Sequence, residues 1–196
     1  MIFLGKKLSP SAVWLLLGLL FLGFLHFKPY QKQRITSFID SNQDIQNSSY
    51  NARQALIAAG SGQLIGRGLG QGIQSHLKFL PERQTDFIFA SLAEEFGFIG
   101  SIIVVLIYLL LINLIIRVGL KSSSKPEYYF CMSTAIMTAF QVGINIGMNI
   151  GLMPITGLTL PLLSYGGSSL LSLMAMFAVV QSILINIKPK KTLHLS

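Results

Sequence analysis

Apolar residues in this chain fall into long uninterrupted runs rather than into the short amphipathic segments of a soluble protein. A helix that crosses the ~30 Å hydrocarbon layer of a bilayer needs about 20 apolar residues. Four runs are long enough or nearly so: Ala12 to Phe27, Phe96 to Ile116, Tyr128 to Met153 and Ser168 to Ile187. None of the four contains an Asp, Glu, Lys or Arg residue. The pattern therefore predicts an all-α integral membrane protein with four transmembrane helices.

The composition agrees with a membrane protein. Hydrophobic residues make up 52% of the chain and charged residues only 11%, whereas a typical soluble domain has about 25% charged residues. The first run follows Lys6 and Lys7, so it is also compatible with a signal peptide. A cleaved signal ends in small residues, but this run leaves through His26-Phe27-Lys28-Pro29. We interpret it as a retained anchor.

Basic residues flank the predicted spans on one side, and the cytoplasmic flanks of membrane proteins are enriched in Lys and Arg. These flanking residues are Lys6, Lys7, Arg117, Lys121, Lys125, Lys188, Lys190 and Lys191. The connection from Pro154 to Gly167 carries no charge. We therefore predict that both termini are cytoplasmic. Residues 28–95 are predicted to be extracytoplasmic, because long loops are translocated whatever their charge.

This topology divides the chain into three parts. Residues 1–27 hold the cytoplasmic N-terminus and the first span, 28–95 form the extracytoplasmic segment, and 96–196 hold three further spans with a cytoplasmic tail. The net charge of +8 follows mostly from the cytoplasmic flanks, and since no nucleic-acid-binding motif accompanies it we expect no nucleic-acid partner. The chain has a single cysteine, Cys131, and its three histidines are far apart in sequence. No disulfide and no metal site are predicted.

The extracytoplasmic segment is too long to be a simple connection, since loops beyond about 15 residues are usually functional or disordered. It contains a predicted helix from Tyr50 to Ala59, followed by a glycine-rich segment from Gly60 to Gly72. The glycine spacing fits neither the dinucleotide nor the phosphate-loop fingerprint. Two interpretations stay open. Either the glycines let the chain fold tightly on the membrane surface, which we favour, or their N–H groups form a nest for a phosphate.

Asp86 lies where the extracytoplasmic segment becomes the second span. Aspartate is among the best helix N-caps, and on the sequence alone this structural role is slightly favoured. A carboxylate at such a boundary can also act as a general base. Lys78 and Arg83 are nearby in sequence and would face an anionic substrate.

Glu94 and Glu95 are the other carboxylates near this boundary. On a helix Glu94 would lie about 12 Å along the axis from Asp86, at roughly 1.5 Å per residue. The paired carboxylates of most glycosidases are roughly 5–9.5 Å apart, so a hydrolytic pair is not expected. Carboxylates at the edge of a span usually face the interior of the helix bundle. A structural role is therefore predicted for at least one of the two.

The third predicted span has two contrasting faces. Gln141, Asn145 and Asn149 recur every four residues and form a polar stripe, whose amides must bond to another helix in lipid. A second stripe consists of Gly143, Gly147 and Gly151. Glycines at this spacing allow a neighbouring helix to approach closely. The apolar, irregular connection that follows is tolerated in a membrane only if it is buried in protein or lines a cavity, so we expect it to form a wall of the same site.

These motifs resemble the C-terminal part of the SEDS family, which comprises the RodA, FtsW and SpoVE proteins of bacterial cell-wall synthesis. The resemblance extends from about Lys28 to Ile187. It rests on Leu80-Pro81-Glu82, Thr85-Asp86-Phe87-Ile88-Phe89, Glu94-Glu95 before Gly97, Asn145-Ile146-Gly147, Pro154-x-Thr156-Gly157 and Ser164-Tyr165-Gly166-Gly167-Ser168. The RodA branch is indicated by Tyr30-Gln31-Lys32-Gln33-Arg34, Gln74-Ser75 and Pro81-Glu82-Arg83.

The chain departs from the family pattern at three points. Gln84 stands where the family usually has a histidine, which puts a histidine-assisted step in doubt. Asp44-Ile45-Gln46-Asn47 lacks the usual proline and glycines. The family has about ten spans, and the predicted helices of this chain resemble the last four of that bundle.

The resemblance implies a peptidoglycan glycosyltransferase that polymerises lipid II into glycan strands at the outer face of the bacterial plasma membrane, during cell elongation and shape maintenance. It implies Asp86 as the catalytic base. Substrate contacts are expected from Lys78, Arg83, Thr85, Ser164, Tyr165, Gly166, Gly167 and Ser168. Structural support is expected from Glu94, Glu95, Asn145, Asn149 and Gly147.

The same resemblance sets the expected ligands and partners. These are lipid II and the nascent glycan strand, a class B penicillin-binding protein and the membrane lipids. No cofactor is expected, although a divalent cation at the pyrophosphate is compatible with the chemistry. Two other functions stay open: a flippase for lipid-linked precursors, and a non-catalytic scaffold for the penicillin-binding protein. The extracytoplasmic position of Asp86 favours the enzyme, because transporter sites usually lie near the bilayer midplane.

Overall fold

The computed structural model describes residues 48–72, 84–122 and 124–187. Within these ranges the chain forms four helices and no strand: α1 (Ser48–Ser61), α2 (Ile88–Lys121), α3 (Lys125–Asn149) and α4 (Gly167–Asn186). Three of them, α2, α3 and α4, are long and apolar enough to cross a membrane. The described part of the chain is therefore all-helical, as the sequence predicts.

The predicted elements overlap the observed helices to different degrees. α4 matches the fourth predicted span, Ser168 to Ile187, to within one residue at each end, whereas α2 begins eight residues before the second predicted span and ends five residues after it. The predicted helix from Tyr50 to Ala59 lies inside α1. The first predicted span, Ala12 to Phe27, lies outside the described residues.

The third predicted span is too long at its C-terminal end, because the apolar run continues to Met153 whereas α3 ends at Asn149. Apolar residues continue past this point, but Gly151 takes a φ of +73°, which ends a right-handed helix. The N–H groups of Leu152 and Met153 then turn back and donate to the carbonyl oxygen of Gly147, at 2.8 and 3.2 Å. The apolar pattern therefore does not indicate the turn at which α3 ends.

The helices are joined by three apolar clusters. α2 and α3 pack along each other and meet α4 through a cluster of Ile115, Cys131, Ala135, Val180 and Ile183. A second cluster joins α1 to the start of α2 and consists of Ala55, Ala58, Phe87 and Ala90. The third surrounds the connection after α3 and consists of Phe89, Tyr108, Val142 and Leu160. In that third cluster the Tyr108 hydroxyl also donates to the carbonyl oxygen of Pro161, which ties the connection to the middle of α2.

α2 is interrupted at Gly97, whose backbone angles (φ 69°, ψ −165°) are not helical. This region of conformational space is essentially restricted to glycine. A break in a helix leaves carbonyl and N–H groups on its two sides without helical partners. The glycine-rich segment provides the partners on the first side, because the N–H groups of Arg67 and Gly68 donate to the carbonyl oxygens of Glu94 and Glu95, both at 3.0 Å.

The N–H groups on the C-terminal side of the break also find partners in the glycine-rich segment. The N–H groups of Phe98 and Ile99 donate to the carbonyl oxygens of Gln63 and Leu64, at 2.9 and 3.2 Å. Such backbone-to-backbone contact leaves no room for side chains: a Cβ added at Gly66 would lie 2.1 Å from the Glu95 carbonyl oxygen. The glycines therefore serve tight folding, as favoured from the sequence, and the surface against which they fold is α2.

Candidate functional site

The structure does not assign the helix-cap role to Asp86. The N-cap position of α2 is Phe87, which makes no side-chain capping bond. The N–H group of Ala90 in the first turn donates instead to Oδ1 of Asn149, at 3.1 Å. This N–H is one of those that an N-cap side chain normally binds. An amide from α3 thus caps α2, and the cap interpretation of Asp86 that the sequence slightly favoured is replaced.

The backbone just before α2 is bonded to the connection between α3 and α4. The N–H group of Tyr165 donates to the carbonyl oxygen of Gln84 at 2.7 Å, and the Ser164 hydroxyl donates to the carbonyl oxygen of Thr85 at 2.6 Å. The same hydroxyl accepts a hydrogen bond from the Leu160 N–H group at 2.8 Å. A serine hydroxyl has one proton to donate. Ser164 donates this proton to the carbonyl oxygen of Thr85, and its expected contact with the substrate stays a prediction.

The carbonyl oxygen of Asp86 is held by the polar stripe of α3. The side-chain amides of Asn145 and Asn149 donate to it at 3.1 and 3.0 Å. The Asn145 amide also donates to the carbonyl oxygen of Leu158 at 2.7 Å, so it links Asp86 to the connection as well. Both asparagines are fully buried, where a polar group needs its hydrogen bonds. The predicted supporting role of these two residues thereby acquires a definite geometry.

The carboxylate of Asp86 lies beside Gly157 in the connection. A Cβ added at Gly157 would be 3.6 Å from Oδ2 of Asp86. Gly157 has a φ of +75°, a conformation that glycine adopts at no steric cost. The sequence motif contained Gly157, but its place next to the carboxylate was not predicted.

An open cavity of about 500 Å³ lies beside the residues that flank Asp86 in sequence, Gln84 and Ile88. Its lining consists of Gln84, Ile88, Leu163, Ser164, Tyr165, Gly166, Gly167 and Leu170. The volume lies within the range of roughly 300–1,000 Å³ found for small-molecule sites. The side chain of Tyr165 is 76% exposed and is therefore accessible to a ligand, whereas Leu163 and Leu170 provide apolar wall. The cavity thus combines polar groups with an apolar surface.

The structure brings together part of the predicted substrate-contact set. Ser164, Tyr165, Gly166 and Gly167 line the cavity, whereas Thr85 and the candidate base Asp86 are not among its lining residues. Ser168 lies in the first turn of α4 and is exposed, but it is not part of the cavity lining. Lys78 and Arg83 lie outside the described residues. Gln84 was noted in the sequence only as a departure from the family, and its place in the cavity lining was missed.

Glu94 and Glu95 lie at the break in α2 rather than at the cavity. The Glu94 side chain is fully buried and lies against Gly72 of the glycine-rich segment, where an added Cβ would be 2.7 Å from its Oε2. Glu95 is half-buried. The carbonyl oxygens of both residues accept bonds from the glycine-rich segment. The structural role predicted for at least one of them agrees with this arrangement.

Among the described residues, the three glycines of the stripe do not pack together against one neighbouring helix. A Cβ at Gly143 would find no atom within 4 Å, and one at Gly147 would meet the Met153 side chain at 3.1 Å. Gly151 lies beyond the end of α3, and a Cβ added there would be 3.0 Å from the Leu56 side chain of α1. Helix packing against Gly143 stays a prediction.

A metal site is not formed by the residues that the structure describes. They contain no group of three or more His, Cys, Asp and Glu side chains that could hold a metal ion. Residues 73–83 are outside this description, so the expected absence of a protein-held metal stays a prediction.

The three long apolar helices α2, α3 and α4 are typical of multispanning membrane proteins. The family model described as Cell cycle protein, FtsW/RodA/SpoVE, matches residues 4–188. The chain therefore belongs to this family of integral membrane proteins.

Several curated relatives are similar over most of the chain. The probable peptidoglycan glycosyltransferase FtsW of Wigglesworthia glossinidia brevipalpis is 46% identical over 90% of the chain and 47% of its own length. The stage V sporulation protein E of Bacillus subtilis is 43% identical over 87% and 47%. The peptidoglycan glycosyltransferase MrdB of Escherichia coli K12 is 40% identical over 83% and 44%. The chain thus spans about half the length of these relatives, and they do not separate one branch of the family from another.

Two solved structures are similar as well. One, described as the structural coordination of polymerization and crosslinking by a peptidoglycan synthase complex, superposes with a TM-score of 0.66 at 31% identity, covering 88% of this chain and 49% of that one. The other is a mutant of the rod shape determining protein RodA of Thermus thermophilus, with a TM-score of 0.52 at 38% identity, covering 55% and 36%. Both support the helical fold described above.

Proposed function

We propose that this chain takes part in peptidoglycan glycosyl transfer, polymerising lipid II into glycan strands with Asp86 as the general base. The observation that carries the proposal is the position of Asp86. Its carboxylate lies beside Gly157, and its backbone is held by Asn145 and Asn149. A cavity of about 500 Å³ is lined in part by Gln84 and Ile88, which flank Asp86 in sequence. Relatives named peptidoglycan glycosyltransferases support the reaction class.

The proposed reaction is a single displacement. A hydroxyl of the acceptor sugar attacks the anomeric carbon of the donor, and Asp86 accepts the hydroxyl proton as the new C–O bond forms. The bond between the anomeric carbon and the lipid pyrophosphate breaks, and the pyrophosphate leaves with the electron pair. Lys78 and Arg83 are proposed to offset the charge that develops on it. A divalent cation at the pyrophosphate is compatible with this role but is not required by it.

The proposed location follows from the charge pattern of the sequence. With both termini in the cytoplasm, the end of the bundle that carries Asp86 faces the outside, where lipid-linked precursors are polymerised. The three-part division into residues 1–27, 28–95 and 96–196 belongs to the same proposal. It is supported by the basic flanks at Arg117, Lys121 and Lys125, which adjoin the turn between α2 and α3 at the opposite end.

A role in cell elongation and a transpeptidase partner are finer parts of the proposal. The partner would be a class B penicillin-binding protein, and the support is the similar structure in which a synthase complex coordinates polymerization with crosslinking. The elongation role rests on the sequence features shared with the RodA branch. Membrane lipids would surround the exposed apolar faces of α2 and α4.

The test is polymerisation of labelled lipid II by the purified chain, alone and with a class B penicillin-binding protein. Asp86→Asn should lower turnover by about 10²–10⁴-fold, the usual effect of losing acid–base catalysis, without changing the melting temperature appreciably. Asp86→Glu should be intermediate, because the carboxylate remains but is displaced. Glu127→Gln, which removes a carboxylate at the opposite end of the bundle, is the matched control and should keep full activity.

Two results would overturn the proposal. If the unmodified chain polymerises no lipid II under either condition, the glycosyltransferase function fails. If Asp86→Asn polymerises normally, Asp86 is not the base. In that case lipid II transport by reconstituted protein, or binding to the penicillin-binding protein without polymerisation, would identify the flippase or scaffold alternative.

A further inference from the structure

The Ser164 side chain joins two parts of the chain that are far apart in sequence. Its hydroxyl donates to the carbonyl oxygen of Thr85 at 2.6 Å, 79 residues away. It also accepts from the Leu160 N–H group at 2.8 Å and so closes a turn within the connection. The neighbouring Tyr165 N–H group adds a bond to Gln84 at 2.7 Å. Ser164 is thus bonded to the residue immediately before Asp86.

We propose that Ser164 is a positioning residue for Asp86 rather than a ligand of the substrate. The inference rests on the proposed function, since it assigns Ser164 to the reaction through the base. Ser164 borders the cavity, which is why the sequence motif suggests a substrate contact. Its single proton is already donated to a carbonyl oxygen, however, so a substrate acceptor would have to displace that bond.

The restraint acts on both sides of the carboxylate. Thr85, directly before Asp86, is held by Ser164, and the carbonyl oxygen of Asp86 itself is held by Asn145 and Asn149. Two consecutive peptide units are therefore fixed by donors from the connection and from α3. These bonds fix the two peptide planes between which the Asp86 side chain is attached.

The connection that holds Thr85 also carries Gly157, next to the Asp86 carboxylate. The Asn145 amide donates to Leu158 as well as to Asp86. Asn145 therefore attaches the connection at Leu158, directly after Gly157, and Ser164 attaches it again six residues further along. Loss of the Ser164 bond would remove one of these two attachments and let the connection and Asp86 move relative to each other. A displacement of about 1 Å at a reacting group can cost about 10²-fold in rate.

A positioning role and a ligand role differ in the kinetic parameter that they change. A ligand that binds substrate and transition state equally lowers KM without raising kcat, so its loss raises KM. Loss of a positioning residue misplaces the base and lowers kcat while the substrate still binds. Ser164→Ala removes the hydroxyl at little change in volume, and Ser164→Thr restores it.

The experiment measures lipid II polymerisation kinetics and backbone hydrogen exchange on the same full-length preparations. Ser164→Ala should lower kcat by at least about tenfold with KM changed less than about twofold, and the Leu160 amide should exchange faster because its acceptor is gone. Ser164→Thr should recover both values. Ser172→Ala is the matched control, because Ser172 is exposed on α4 and, among the described residues, its hydroxyl donates to the carbonyl oxygen of Ser169 in its own helix.

Each outcome decides the inference. A rise in KM at unchanged kcat would make Ser164 a substrate ligand and overturn the positioning role. Faster exchange with unchanged kinetics would make its bonds purely structural, and unchanged exchange would show that the bonds do not restrain the connection. If Asp86→Asn is inactive while Ser164→Ala is fully active, the proposed function stands and only this inference fails. If the unmodified chain is inactive, both fail, since there is no reaction for Ser164 to assist.

Discussion

The two ends of the helix bundle differ in the contacts that hold them together. At the site end, formed by residues 60–72, 84–99 and 145–166, hydrogen bonds connect the backbone of one segment to the side chains or backbone of another. At the turn end, formed by residues 111–122, 124–135 and 177–187, apolar side chains such as Ile115, Ala135 and Ile183 pack with Cys131. Apolar clusters are present at the site end too, so the difference lies in the directional hydrogen bonds between distant segments that the site end adds.

The difference indicates which end must hold its atoms in fixed positions. A hydrogen bond weakens steeply when its angle or length changes, so a site held by many of them has few alternative arrangements. An apolar cluster tolerates substitutions that conserve its volume at a cost below about 1.5 kcal/mol. Asp86 lies at the directional end, where its carbonyl oxygen and that of Thr85 are both bonded. We therefore expect substitutions at the site end to be more costly than comparable ones at the turn end.

The largest effect is expected from Gly97→Ala at the break in α2. The new Cβ would lie 2.3 Å from the Gly66 nitrogen, in a backbone conformation restricted to glycine. We expect a loss of about 4 kcal/mol of stability, from about 1–3 kcal/mol of backbone strain and about 1–3 kcal/mol of overpacking. Thermal unfolding in detergent measures it. Gly60→Ala is the control, because a Cβ added there would meet no other described part of the chain within 4 Å. Equal melting temperatures for both variants would show that the glycine-rich segment does not bind the break.

A somewhat smaller effect is expected from Asn149→Leu. The substitution removes the acceptor of the Ala90 N–H group and one of the donors to Asp86. A buried group left without its partner costs about 1–3 kcal/mol, so we expect a loss of about 3 kcal/mol together with loss of polymerisation. Asn186→Leu, at an exposed position at the end of α4, should change neither. If Asn149→Leu is as stable as the unmodified chain, the bonds of the polar stripe do not support the site end.

The smallest effect is expected at the turn end, from Ile115→Val in the apolar cluster. Ile115 is 4% exposed, and removing one buried methylene from such a site costs about 1 kcal/mol. Polymerisation should be unchanged, because the residue lies far along α2 from Asp86. Ile185→Val, at a residue that is 73% exposed on α4, should be neutral. A loss at Ile115 as large as that at Asn149 would remove the contrast between the two ends.

Much of the fold could be predicted from local pattern alone. The long apolar runs located α2 and α4 because the minimum length of a membrane helix is set by the bilayer. The same pattern misplaced the end of α3, since it registers apolar character and not the positive φ of Gly151. It also missed the break at Gly97, which lies within an otherwise continuous apolar run. The glycine that follows the Glu94-Glu95 pair was the available signal.

The candidate site was predicted less completely than the helices. The motifs pointed to Asp86, Asn145 and Asn149, but the sequence favoured a helix cap for Asp86. Only the structure reveals that Asn149 provides the cap from α3. It also reveals the bond from the Ser164 hydroxyl to Thr85, which the sequence does not predict.

By itself the sequence determined that the chain is helical, that it belongs in a membrane and which segment carries the candidate base. These properties depend on composition and on the spacing of residues along one helix, which are local quantities. Only the tertiary structure decided which carbonyl each buried amide binds and how the glycine-rich segment closes the break at Gly97. The physical reason is that a hydrogen bond between residues 59 or 79 positions apart depends on how whole helices pack. No pattern within either segment specifies its partner in the other.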